Sequence, residues 1–99
     1  MLHIVNKSPL ERSTFDSCLA AAQPGAAVLL IEDGVYAATR GNAAEAKLAT
    51  ALANLEIYVL APDLEARGMA QSLAEGVKPV DYAGFVALVA QHKNCQSWL

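Results

Sequence analysis

The sequence predicts a small α/β domain in three layers, a mainly parallel open sheet with helices on both faces. Three observations lead there. The chain has 99 residues, which sets a ceiling of one domain spanning 1–99. Short aliphatic and β-branched runs alternate with segments of helical period, and a parallel strand pair needs the crossover that a helix supplies. Ala26 to Ile31 is apolar throughout, the pattern of a central strand buried on both faces. Among the topologies that right-handed crossovers allow, a flavodoxin-like open sheet is the most economical.

Leu2 to Asn6 carries Ile4 and Val5 and runs into Lys7, Ser8 and Pro9, so it reads as a first strand ending in a turn. The following helix has two candidate starts: Ser8, Pro9 and Glu11 form one capping box, and Ser13 with Asp16 forms another. Phe15, Cys18, Leu19 and Ala22 fall at i, i+3, i+4 and i+7, giving one apolar face until Pro24 and Gly25 stop the helix. Glu32, Asp33 and Gly34 end the central strand. Val35 to Asn54 is alanine-rich, with a break at Gly41 and Asn42 and strong helix formers in its second half. Glu56 to Leu60 is a third strand, and Pro62 and Asp63 open a helix through Ala66 that Gly68 ends. Met69 to Glu75 reads as a further turn and Val77 to Val80 as a very short strand. Asp81 caps a helix with Phe85, Leu88 and Val89 on one face, and Asn94 to Leu99 reads as an edge strand.

Composition narrows the function. Apolar residues make up 55% and charged residues 17%, with a mean hydropathy of +0.29. Area scaling leaves about 5,400 Å² exposed out of about 15,000 Å² for the unfolded chain, so the core is modest and apolar surface is left over for a partner subunit. Alone, the chain is expected to form a homo-oligomer or to be poorly soluble. A net charge of −3 offers no footprint for a phosphate backbone, which argues against direct nucleic-acid binding. A stretch such as Ala26 to Ile31 is far short of the ~20 residues that span a bilayer, and MLHIVNK lacks the marks of a signal peptide. A cytoplasmic protein with no membrane contact is expected, and with it reduced thiols.

Few residues have the pattern of a site. In an open α/β sheet, function concentrates beyond the carboxyl ends of the strands, here Lys7 to Pro9, Glu32 to Val35 and Ala61 to Asp63. The turns NKSP and EDGV have no glycine-rich phosphate loop, and no cofactor is expected. Glu32 and Asp33 are adjacent acids at a strand end and could hold magnesium, but Asp-Gly is also ordinary turn chemistry. His3 and His92 have no ligand at metal spacing, so no metal site is expected, and His3 in a strand reads as a satisfied core or interface imidazole. Cys18 lies on the apolar stripe of the first helix, where free cysteine is commonly inert packing; chemistry there needs an exposed thiolate. Cys95 lies in the polar tail KNCQSWL, next to Lys93.

With MLHIVNKSP at the start, LLIEDGVYAA in the middle, YVLAPDLEARG after it and VDYAGFVALV before a terminal tryptophan, the chain resembles the DsrH/TusB family of sulfur-relay subunits nearly from end to end. The resemblance implies a DsrE-like α/β fold. It also implies a heterohexamer with DsrE/TusD-like and DsrF/TusC-like subunits, and a downstream DsrC/TusE-like sulfur acceptor. In that family the principal sulfur-carrying cysteine belongs to the DsrE or TusD partner, after its third strand. The matching stretch here, Leu60 to Gly68, has no thiol, which implies an accessory subunit of a sulfurtransferase complex or, alternatively, a purely structural one. The DsrH branch, tied to sulfur oxidation, is similar in having a cysteine in the first helix, and the TusB branch, tied to 2-thiolation of the tRNA wobble uridine, typically lacks it. Cys18 is therefore the candidate persulfide or relay cysteine, and the chain looks closer to DsrH.

Overall fold

Five short strands form one sheet, the three inner ones apolar and the two edges more polar. The computed structural model describes residues 1–98, in which β1 (Leu2–Val5), β2 (Ala27–Leu30), β3 (Glu56–Leu60), β4 (Lys78–Val80) and β5 (Cys95–Trp98) pair in the order β4-β3-β2-β1-β5. Every pairing is parallel. The central strand is β2, buried along its whole length, as its unbroken apolar sequence requires.

Side chains alternate between the two faces of a strand, and the packing follows that alternation. On one face Val5, Val28, Leu30, Ile57 and Val59 pack with Phe15, Cys18, Leu48 and Leu64. Those four come from α1 (Thr14–Ala21), α2 (Glu45–Ala51) and α3 (Ala61–Ala66). On the other face Leu2, Ala27 and Leu29 meet Leu88 of α4 (Tyr82–Gln91). The result is the expected three-layer α/β arrangement with an open parallel sheet.

The strand order differs from the flavodoxin order 2-1-3-4-5. The first three crossovers each land on the next strand outward, and only the connection through α4 returns across the sheet to place β5 beside β1. Either side of β1 satisfies the rule for a right-handed crossover, so strand patterning alone does not choose between the two orders.

Local chemistry sets the element ends. Of the two candidate starts, the second is where α1 begins, after Ser13, although the Ser13 side chain makes no capping hydrogen bond. Ser8 instead closes a turn, its carbonyl accepting from the amides of Glu11 and Arg12. The stretch after β2 is a 3-10 segment, Glu32–Ala38, before the break at Gly41 and Asn42. Asn42 bridges that break through its Nδ2 donating to the Tyr36 and Thr39 carbonyls. Asp81 caps α4 by accepting from the Gly84 amide at 2.8 Å. The edge strand expected through Leu99 is described as far as Trp98; Leu99 lies outside the described residues.

Candidate functional site

At the carboxyl ends of the strands, Gly34 packs so close to the end of β1 that a β-carbon there would overlap the Val5 carbonyl oxygen. Only glycine fits. Glu32 sits just before it with φ at 49°, a left-handed conformation that costs a residue with a β-carbon about 1–2 kcal/mol. What holds it is Asp63 of α3, whose Oδ2 accepts from the Glu32 amide at 2.7 Å. Arg67 completes the lattice. Its Nε donates to Asp33 Oδ1 at 2.9 Å and its Nη1 to the Asp63 carbonyl at 3.2 Å.

Asp33 and Asp63 are occupied by a guanidinium and an amide, and among the described residues no group of three or more His, Cys, Asp or Glu side chains is placed to hold a metal ion. The strand-end turn is stabilised by hydrogen bonds and contains no nucleophile. Sequence reasoning passed over Asp63 and Arg67 as partners of the Glu32–Asp33 turn, because they lie 31 and 34 positions from the groups they bind. At the same end of the sheet Asn6 Oδ1 is buried without a hydrogen-bond partner.

Cys18 is fully enclosed on the inner face of α1, in the cluster with Val5, Phe15 and Val28. Burial pushes its thiol up from 9.0 to about 11, because a thiolate loses its hydration in an apolar slot. At pH 7 about one molecule in ten thousand then carries the thiolate. In this arrangement the thiol is a packing group, and nucleophilic chemistry there requires α1 to move away from the sheet. Cys95 is exposed on β5, at the start of the strand and opposite Leu2 in the ladder. The structure brings neither cysteine to the strand-end lattice.

His3 is buried on β1 and its Nδ1 accepts from the Trp98 indole nitrogen at 3.1 Å. Burial, reinforced by the N-terminal ammonium, lowers its pKa from 6.5. It is the satisfied imidazole that the sequence reading favoured. His92 closes α4, its Nδ1 lying 2.8 Å from the Leu88 carbonyl.

Beyond the strand ends, two surfaces are notable. A groove of about 610 Å³ runs between α1 and α2 over Leu19, Ala22, Ala51 and Leu55, and the Asp16–Lys47 ion pair at 2.8 Å borders it. The outer side of α4 is apolar and exposed at Tyr82, Val86 and Val89. No helix of the described residues is long and apolar enough to cross a membrane.

Residues 7–95 match the family model described as DsrH like protein. Protein TusB of Pectobacterium parmentieri is 37% identical over 98 residues, covering 99% of this chain and 100% of the relative. Protein TusB of Escherichia coli O9:H4 (strain HS) is 35% identical with the same coverage. Among solved structures, the ychN protein from E. coli superposes with a TM-score of 0.77 at 15% identity, covering 97% of each chain. A protein of unknown function from Methanobacterium thermoautotrophicum gives 0.71 at 18% identity, covering 97% of this chain and 95% of the other. These structural likenesses concern the fold.

Proposed function

Because this chain belongs to the DsrH family, we propose that it is an accessory subunit of a cytoplasmic sulfur-relay complex, assembling with DsrE/TusD-like and DsrF/TusC-like subunits. The observation that carries the accessory role is the strand-end site. Where the resemblance puts the partner's sulfur-carrying cysteine, this chain has Pro62 and Asp63, and Asp63 is committed to the Glu32 amide. A persulfide needs a thiol to accept the sulfane sulfur, and there is none at this position. The chain's contribution is then to complete the assembly and shape its surface, with sulfur passing from the sibling's cysteine to a DsrC/TusE-like acceptor.

Full-length likeness to TusB proteins supports 2-thiolation of the tRNA wobble uridine as the downstream process. Cys18 favours the second reading, sulfur oxidation, because the DsrH branch resembles this chain at that position. The acidic surface supports leaving tRNA contact to another protein of the system.

Co-expression with the two sibling subunits tests the assembly. A stoichiometric complex that accepts persulfide sulfur and hands it to the acceptor is expected, with the sibling cysteine essential. A chain that ignores both siblings in size-exclusion runs overturns the reading. Deleting the gene separates the two processes: loss of 2-thiouridine with sulfur oxidation intact supports the first, and the converse supports the second.

A further inference from the structure

The last strand is thinly held. Cys95, Gln96 and Ser97 of β5 are exposed, and Trp98 alone packs against the core. Besides its ladder to β1, β5 is fastened by a side-chain bond that joins the two ends of the chain, from Trp98 Nε1 to His3 Nδ1 at 3.1 Å. The two rings lie 6.0 Å apart, tilted by 38°, and His3 is 4% exposed. An indole N–H only donates, so Nδ1 must supply the lone pair and the neutral imidazole carries its proton on Nε2. An imidazolium donates from both nitrogens and has no lone pair left to offer.

We propose that His3 and Trp98 form a proton-operated clasp on the C-terminal edge strand, closed when the imidazole is neutral and opened by protonation at Nδ1. Among the described residues nothing compensates the imidazolium. The cavity beside the two rings, about 500 Å³, is lined by Met1, Ala21, Gln23, Ala26 and Gln96, and its lining contains no carboxylate. Neither β2 nor β5 carries a charged residue. The single acid of α1, Asp16, is paired with Lys47. The Met1 ammonium, two positions before His3, is positive and opposes protonation.

The sign follows from where the proton binds better. In the closed state burial holds the His3 pKa below 6.5, so the released state takes up the proton more readily. The clasp is fully stable above about pH 6.5 and weakens as pH falls toward the lowered value. Within that window one linked proton raises the opening equilibrium about tenfold per pH unit.

Amide hydrogen exchange by NMR on the full chain, corrected for intrinsic rates, tests this between pH 7.5 and 5, in a His92→Gln background where His3 alone titrates among histidines. Protection of the Cys95–Trp98 amides and of the Trp98 indole N–H is expected to fall about tenfold per pH unit within the window, while the β2 amides hold. The chain has one tryptophan, so its indole resonance and fluorescence report the clasp directly. His3→Asn keeps an acceptor in place of Nδ1 and does not titrate, and should abolish the pH dependence while keeping β5 protected. Trp98→Phe removes the donor and should lower β5 protection at pH 7.5 toward the level the parent shows at pH 5. Unchanged β5 protection in the parent across the titration overturns the clasp, and so does a pH dependence that survives in His3→Asn or a Trp98→Phe variant as well protected as the parent at pH 7.5.

Discussion

Replacing Cys18 by serine separates a packing thiol from a relay thiol. The sulfur is fully enclosed between α1 and the sheet, so the substitution puts a hydroxyl where a weakly polar sulfur was. An uncompensated hydroxyl in such a slot costs about 1–3 kcal/mol, and a bond back to the Thr14 carbonyl one turn earlier would bring it toward the low end. For a domain of this size that is a fall of roughly 5–20 °C in Tm. The thiol also leaves a pH signature. Its folded pKa of about 11 lies above the ordinary 9.0, so the fold favours the protonated form. That stability is complete below pH 9 and is lost as pH rises through 9 toward 11, up to about 2.7 kcal/mol for a shift of that size. Cys18→Ala should flatten this alkaline slope. The assays are urea unfolding by circular dichroism at pH 7.5 and 10, and persulfide transfer by the assembled complex, with Cys95→Ser as the control. The packing account expects a destabilised serine variant whose complex transfers sulfur at the parental rate. A variant that assembles and is as stable as the parent but transfers nothing would refute it and make Cys18 a relay group.

Other expectations follow from the same geometry. Iodoacetamide at pH 8 should label exposed Cys95 at least a hundredfold faster than Cys18, whose thiolate fraction there is about one in a thousand; equal rates by mass spectrometry would contradict the burial of α1. Asp63→Ala removes the acceptor of the Glu32 amide and should destabilise by about 1–2 kcal/mol in urea titration, whereas Glu32→Gly relieves the left-handed backbone and should stabilise by up to about 1 kcal/mol. Val86→Asp places a charge on a residue that is 67% exposed, so monomer stability should stay within about 0.5 kcal/mol. The same charge should weaken assembly with the sibling subunits at least tenfold in pull-down titrations if α4 lies in that contact.

Much of this fold was legible because the strongest local signals agree with the tertiary arrangement. The unbroken run from Ala26 to Ile31 could belong only to a strand covered on both sides, and β2 is that strand. Phe15 and Cys18 keep helical spacing and both are buried. Asp81, read as a cap, does cap α4. Elements failed to read where competing local options were nearly equal. Two capping boxes preceded α1, and the one at Ser8 yielded to a turn because the amides of Glu11 and Arg12 both donate to the Ser8 carbonyl. The segment after β2 has helix-forming alanines, yet it tightens to a 3-10 path because Gly34 is pressed against the Val5 carbonyl and Glu32 is held left-handed. The strand-end lattice was invisible for a different reason: Asp63 and Arg67 act on partners more than thirty positions away, and no periodicity encodes such a contact.

The apolar surplus read from composition has a definite place, and that place constrains any partner. One face of the sheet is covered by α1, the 3-10 segment, α2 and α3; among the described residues the other has α4 as its only helix. Leu88 seats α4 against Leu2 and Leu29, while Tyr82, Val86 and Val89 face outward, and no residue from Tyr82 to Gln91 bears a charge. An uncharged helix cannot select by charge, and a lysine or glutamate set against it would lose hydration with nothing to replace it. The complementary surface must therefore be apolar and shaped to small side chains, since Ala83, Ala87 and Ala90 separate the larger ones. A sibling subunit with a similar bare helix meets that requirement, and an acidic or basic macromolecule does not. Two features then lie on opposite sides of the molecule's chemistry: a strand-end turn held by Asp63 and Arg67, and an exposed uncharged helix face at Tyr82, Val86 and Val89.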